Sequence, residues 1–241
     1  MNPGKIEEIR FYSNELQEEM ELLIYLPSRY SPLYKHNVML VSDGKDYFQL
    51  GRIGRIADEL MEEEIIEPVI IVGIPYKTVQ ERRRMYHPEG DRHKAYIRFL
   101  AHELIQYIDE TYPTYQMGSS RMLMGDSLAA SISLLTALKY PNCFGNVVLH
   151  SPFVNEHVLE AVKANENPAN LSIYHVIGDK ETDVPTTADG RLDFLTPNRE
   201  LHKVIKEKRF PYYYEELDGD HTWKSWQPDI RRALIEINRL S

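Results

Sequence analysis

Arg121-Met122-Leu123-Met124-Gly125-Asp126-Ser127-Leu128-Ala129-Ala130 reads as a strand, a sharp turn and the start of a helix. The pattern is G-x-S-x-G with alanine in place of the second glycine. Small residues are needed where strand and helix meet around a strained turn; Gly125 meets the first need, and Ala129 with Ala130 the second. The same alternation continues outward on both sides. Short apolar runs occupy 20–26, 38–42, 69–74, 121–125, 146–150 and 171–177. Helix-period segments fall at 52–64, 93–110, 128–140, 155–165, 191–208 and 227–240. In 93–110, Ile97, Leu100, Ala101, Leu104, Ile105 and Ile108 line one stripe, as a surface helix requires. Strands alternating with helices predict an α/β fold with a mostly parallel central sheet and helices on both faces. Two extended runs without a helix between them fill the first 26 residues, which predicts an antiparallel N-terminal start. No repeat or linker divides the chain, so one domain over 1–241 is expected.

Composition narrows the function. The 241 residues are 42% hydrophobic, enough for one sizeable core and too much for a disordered chain. A formal charge of −9 is the wrong sign for a duplex-binding surface, so nucleic acid is not an expected partner. The apolar runs are too short to span a bilayer, and Met1 to Glu21 contains no apolar signal region. A cytoplasmic protein with no membrane partner is expected. The single cysteine, Cys143, excludes an internal disulfide and a cysteine-built metal site. Nothing in the sequence assigns an oligomeric state.

In open parallel sheets chemistry gathers at the carboxyl ends of the strands. Those ends carry Ser127, an acidic cluster in Gly178-Asp179-Lys180-Glu181-Thr182-Asp183-Val184-Pro185, and His221 in a Gly-Asp-His turn, in that order. A serine after a strand is also a favoured helix N-cap, the plainer reading of Ser127. Of nine histidines, most fall in helical or polar stretches, and His150 and His175 read as packing residues. His221 alone follows the last strand and precedes the last helix, where a general base belongs in the order Ser, acid, His. For the orienting acid the spacing G-x-x-D-x-x-V-P, read from Gly178, favours Glu181, then Asp183, with Asp179 behind. A calcium loop fails there, because Val184 stands where glycine and Gly190 where glutamate is required. Two backbone N–H donors must face the developing oxyanion. Leu128, next after the serine, supplies one, and the Asp43-Gly44 turn suggests Lys45 for the other.

These residues resemble the putative-esterase branch of the α/β-hydrolases, which includes enterochelin-type siderophore esterases, feruloyl esterases, S-formylglutathione hydrolase and mycolyltransferases. The resemblance covers about residues 5–240. Its markers are Met39-Leu40-Val41-Ser42-Asp43-Gly44, Glu81-Arg82-Arg83-Arg84-Met85-Tyr86-His87-Pro88, Gly125-Asp126-Ser127 and Gly219-Asp220-His221-Thr222-Trp223-Lys224-Ser225-Trp226. The last is similar to the family's G-x-H-x-W-x-x-W and is the most specific of them. The resemblance implies an α/β-hydrolase fold with Ser127 as nucleophile, His221 as base, Glu181 as acid, and Lys45 and Leu128 as oxyanion donors. Ala129 departs from the family glycine, and the loops leave no room for a large lid or an accessory domain.

The function expected is a serine carboxylic-ester hydrolase working through an acyl-enzyme on a small-molecule ester, a chemistry that calls on no metal or organic cofactor. Strand-end topology places Tyr47, His150, Ser151, Phe153 and Trp223 in the acyl pocket. Tyr76 to Asp91 is expected as a rim loop with Arg82, Arg83 and Arg84 solvated; recognition of an anionic substrate is the sharper alternative. Two functions compete: acyl transfer to an alcohol other than water, and a catalytically inactive hydrolase fold used for binding.

Overall fold

Six of the apolar runs form strands within two residues of the expected bounds, and the charged N-terminal segment supplies the run that precedes them. In the computed structural model, which describes residues 3–240, the chain begins with β1 (Lys5–Ser13), β2 (Glu18–Leu26), β3 (Asn37–Ser42), α1 (Gly44–Gln49), α2 (Ile53–Glu62), β4 (Val69–Ile74) and α3 (Val79–Tyr86). It continues through α4 (His93–Arg98), a π-helical turn at Phe99–Leu104, α5 (Ile105–Thr111), β5 (Arg121–Asp126), α6 (Leu128–Lys139), β6 (Asn146–His150) and α7 (Glu156–Lys163). The C-terminal part holds β7 (Ser172–Gly178), a two-stranded hairpin of β8 (Val184–Pro185) and β9 (Arg191–Leu192), α8 (Leu195–Lys208), β10 (Tyr212–Leu217) and α9 (Trp223–Leu240).

Eight strands form one sheet in the order β1-β2-β4-β3-β5-β6-β7-β10. The pairs β1–β2 and β2–β4 are antiparallel, and every pair from β4 to β10 is parallel. Because the parallel strands are covered on both faces, alternate residues enter different cores. Val38 and Leu40 of β3 pack under the helices α4 to α8, whereas Met39 and Val41 pack against α2 and α9. No helix among the described residues is long and apolar enough to cross a membrane.

Three local readings change. The expected rim loop is partly helix: Thr78 caps α3 by accepting from the Glu81 N–H at 3.1 Å, a T-x-x-E start visible in the sequence. The short helix α1 occupies the turn after β3, and α9 starts at Trp223, ahead of Pro228. All three changes bring helix to the carboxyl edge of the sheet.

Candidate active site

Strand β5 lies near the centre of the sheet, and only Ser127 separates it from α6. The turn holds Ser127 at φ 54 and ψ −123, a conformation that costs energy in a non-glycine residue. A Cβ on Gly125 would lie 2.4 Å from the Ala129 carbonyl group and 2.8 Å from its Cβ. Gly125 is therefore obligatory, and its bareness is what admits alanine at 129. The Ser127 N–H donates to the His150 carbonyl at 2.9 Å, tying the turn to β6. Its side chain makes no capping hydrogen bond to α6, so the N-cap reading does not describe this serine.

Glu181 follows β7 and is fully buried, fixed where the Phe194 and Leu195 N–H groups donate to its carbonyl at 2.8 and 3.1 Å. Its Oε2 accepts from His221 Nδ1 at 2.6 Å. The other oxygen, Oε1, accepts from Ser151 Oγ at 2.6 Å and from the Gly178 N–H at 2.8 Å. Ser151 Oγ in turn accepts from Trp226 Nε1 at 2.9 Å. The imidazole is clasped between Phe194 and Trp226, with ring centroids at 4.4 and 4.9 Å. With Nδ1 engaged by a carboxylate, Nε2 is the nitrogen left for proton transfer. The other two acids lie elsewhere: Asp183 is exposed and pairs with Arg191 at 2.7 Å, and Asp179 accepts from the Gly219 N–H at 3.1 Å.

Ser127 and His221 line one cleft of about 260 Å³, along with Leu128, Phe153, Phe194, Trp226 and the β8–β9 hairpin. Leu128 opens α6 and Lys45 is the second residue of α1. N–H groups at helix starts have no intrahelical acceptor, and of the two residues Leu128 lines the cleft. The β3–α1 turn is tight: a Cβ on Gly44 would meet the Gly73 Cα at 2.3 Å.

Of the three arginines in the run, the first turns inward while Arg83 and Arg84 stay at the surface. Arg82 is half-buried and packs against Asp43, with Nε donating at 3.0 and 2.8 Å and Nη2 at 2.5 Å, and Nη2 also reaches the Asp126 carbonyl at 3.3 Å. Burial opposes the Arg82 charge, but Asp43 outweighs it and holds the guanidinium protonated. Arg83 makes a bidentate bridge to Asp189 of the hairpin at 2.6 and 2.9 Å, and Arg84 pairs with Asp91 and Glu81. Asp126 also faces the cleft, with Oδ1 buried and without a partner among the described residues. Burial, and then the negative charge of Asp43, push the Asp126 carboxyl well above the usual carboxylate range.

Of the five residues expected in the acyl pocket, only Phe153 lines the cleft. Tyr47, His150 and Ser151 are fully buried behind it. The Tyr47 hydroxyl meets His150 Nδ1 at 3.0 Å, and His150 Nε2 meets Asp229 at 3.1 Å. Ser151 is spent on Glu181, and Trp223 packs edge-on against Tyr47 at 4.8 Å. One physical cause accounts for all four placements. A strand-end position fixes depth along the sheet, while the local turn decides whether the side chain faces solvent or the layer beneath. Sequence reasoning gave no site role to Asp126, Phe194 or Trp226 and read Arg82 as solvated or as a contact for an anionic substrate; Arg82, Asp126 and Trp226 lie within the esterase-like motifs, whereas Phe194 carried no signal.

A family model described as "Putative esterase" matches residues 13–237. The uncharacterized protein YjcH of Bacillus subtilis strain 168 is 56% identical over 97% of this chain and 98% of its own length. An acetyl esterase of Caldicellulosiruptor saccharolyticus is 23% identical over 98% of this chain and 99% of its own. Among solved structures, the enterobactin esterase FES of Shigella flexneri, in the presence of 2,3-dihydroxy-N-benzoyl-glycine, superposes over 98% of this chain with a TM-score of 0.80 and 17% identity. This chain spans 59% of the length of that structure.

Proposed function

The chain belongs to the putative esterase family, and from that premise we propose that this ester-hydrolysing enzyme works through a Ser127–His221–Glu181 triad and an acyl-enzyme. The observation that carries the proposal is the 2.6 Å contact between His221 Nδ1 and the buried Glu181 carboxylate, made in the cleft that Ser127 lines. Ser127 Oγ attacks the ester carbonyl carbon while His221 Nε2 takes its proton, and the carbonyl π electrons move onto oxygen. The N–H groups of Lys45 and Leu128 receive that oxyanion. The intermediate collapses, the C–O bond to the alcohol breaks, and the imidazolium returns the proton to the departing oxygen. Water then attacks the acyl-serine with His221 again as base, releasing acid and free serine. Glu181 keeps the imidazole in the tautomer that can accept at Nε2 and stabilises the imidazolium.

A cleft of about 260 Å³ sits at the lower end of the size range of ligand pockets. We read the substrate as a short-chain ester of a small molecule, a reading the acetyl esterase relative favours. The test is fluorophosphonate labelling together with a p-nitrophenyl ester chain-length series. Labelling is expected at Ser127 and absent in Ser127→Ala, with acetate turned over fastest. Labelling at another residue, or a Ser127→Ala enzyme within about tenfold of wild type, would overturn the nucleophile assignment.

A further inference from the structure

Two turns carry the proposed oxyanion donors, and one side chain joins them. Asp43, at φ 59, precedes Lys45 by two residues; the Asp126 carbonyl precedes the Leu128 N–H by the same step. Arg82 holds both: its Nε and Nη2 engage the Asp43 carboxylate at 2.5 to 3.0 Å, and Nη2 donates to the Asp126 carbonyl at 3.3 Å. The peptide between Asp126 and Ser127 is thereby held at both ends, since its N–H donates to the His150 carbonyl at 2.9 Å. Tyr76 and Tyr86 flank the guanidinium at 5.7 and 5.5 Å from their ring centroids, within cation–π range. Arg82 comes from α3, an element that contributes neither the nucleophile nor the base.

We propose that Arg82 is a positioning residue that sets the separation and aim of the Lys45 and Leu128 N–H donors by clamping the β3–α1 turn to the nucleophile turn. The inference rests on the serine-esterase reading above. Its geometry asks for arginine. A bidentate fork occupies Asp43 and still presents an N–H to the Asp126 carbonyl, whereas a lysine ammonium has no planar fork with which to do both. An oxyanion hole acts on the transition state and not on the ground state, so the clamp bears on kcat and leaves KM nearly alone.

The test compares Arg82→Met, Arg82→Lys and Asp43→Asn with Arg84→Met, whose partners lie on the surface, using p-nitrophenyl acetate and a trifluoromethyl ketone that forms an oxyanion on the serine. Arg82→Met is expected to lose about 10²- to 10³-fold in kcat, the scale of one missing oxyanion donor, with KM within about threefold. Ketone affinity is expected to fall in step with kcat/KM, Arg82→Lys to recover part of both, and Arg84→Met to match wild type. If Arg82→Met does not fold, Arg82→Lys and Asp43→Asn carry the same split between kcat and KM. A folded variant with wild-type kcat and ketone affinity, or one whose loss lies in KM alone, overturns the inference. Ser127→Ala is measured in parallel. If it keeps wild-type activity, the serine reading itself fails; an inactive Ser127→Ala beside a wild-type-like Arg82→Met removes only the clamp.

Discussion

Replacing Glu181 by glutamine tests the acid more sharply than deleting it, because the structure dictates how the amide must lie. Three donors converge on the carboxylate: Ser151 Oγ and the Gly178 N–H on Oε1, and His221 Nδ1 on Oε2. A glutamine has one acceptor oxygen and one NH2 group to meet them. If the NH2 faces Gly178, two donors oppose each other in a fully buried place, leaving a backbone N–H unpaired at a cost of about 1–3 kcal/mol. If the NH2 faces His221, the imidazole only has to change tautomer. The second arrangement is favoured, and it places the proton on Nε2, where the base must be empty. Turnover of p-nitrophenyl acetate is therefore expected to fall about 10⁴-fold, the scale of the corresponding wrong-tautomer variant in a serine protease. The thermal midpoint should move little, since every other partner stays satisfied. Asp183→Asn, which touches only a surface arginine, should stay within about twofold. A Glu181→Gln enzyme losing less than about tenfold, or losing less than Asp183→Asn, would refute this account of the acid.

Three further outcomes follow from neighbouring contacts. Ser151→Ala strands the Trp226 indole N–H and frees one side of Glu181, so unfolding free energy should drop by about 1–3 kcal/mol and kcat about tenfold; unchanged values in both would deny the relay. Asp126 is raised well above its unfolded value of 3.8, so in the folded state it holds a proton that the unfolded chain releases as pH rises. Its contribution to stability is complete below that value and is lost above it. Asp126→Asn should therefore raise the thermal midpoint at pH 8 and converge on wild type near pH 4; a gain that is the same at both pH values would contradict this. Burial lowers His93 to about 4 from 6.5, with Nδ1 unpartnered among the described residues, so the unfolded chain takes up the proton first and stability falls as pH drops through that window. His93→Phe should flatten the decline, and an unaltered slope by calorimetry would reject the histidine as its source.

How far the sequence could be read depended on which physical signal each feature leaves. Strands β3, β4, β6 and β7 are almost wholly buried, so each appears as a mostly apolar run, interrupted in β7 by His175, that composition separates from its surroundings. The order of serine, acid and histidine along these strand ends is equally visible. The stripe in 93–110 predicts one regular helix, yet the middle of it is a π-helical turn at Phe99–Leu104, where a wider winding leaves the apolar residues on much the same face. Which way each charge in the arginine run turns left no signal in the run itself. Arg82, Arg83 and Arg84 are three identical letters, and only the cap at Thr78 and the turn of α3 send the first inward to Asp43 and the third outward to Asp91. His36, His87 and His93 lie in polar stretches and are nonetheless buried; for His36 and His87 the covering groups include distant ones, the Pro113 carbonyl and the Phe153 ring.

The three turns after β3, β5 and β6 share a property that explains why the pocket was the least legible part. Asp43, Ser127 and Ser151 have φ of 59, 54 and 47, positive values that L-residues avoid. Glycine would adopt each at lower cost, but glycine has no side chain to present. Each strained residue is held by contacts outside its own turn: Asp43 by Arg82, Ser127 through its N–H to the His150 carbonyl, and Ser151 through its N–H to the Val176 carbonyl at 2.8 Å. The same strain turns the side chains in different directions, Ser127 toward the cleft, Asp43 toward Arg82 and Ser151 toward Glu181. Strand periodicity carries no information about these directions, since the alternation ends where the turn begins. Depth along the sheet is thus written in local sequence. The direction of each strand-end side chain is set by long-range contacts, and those contacts also decide which of them meet a substrate.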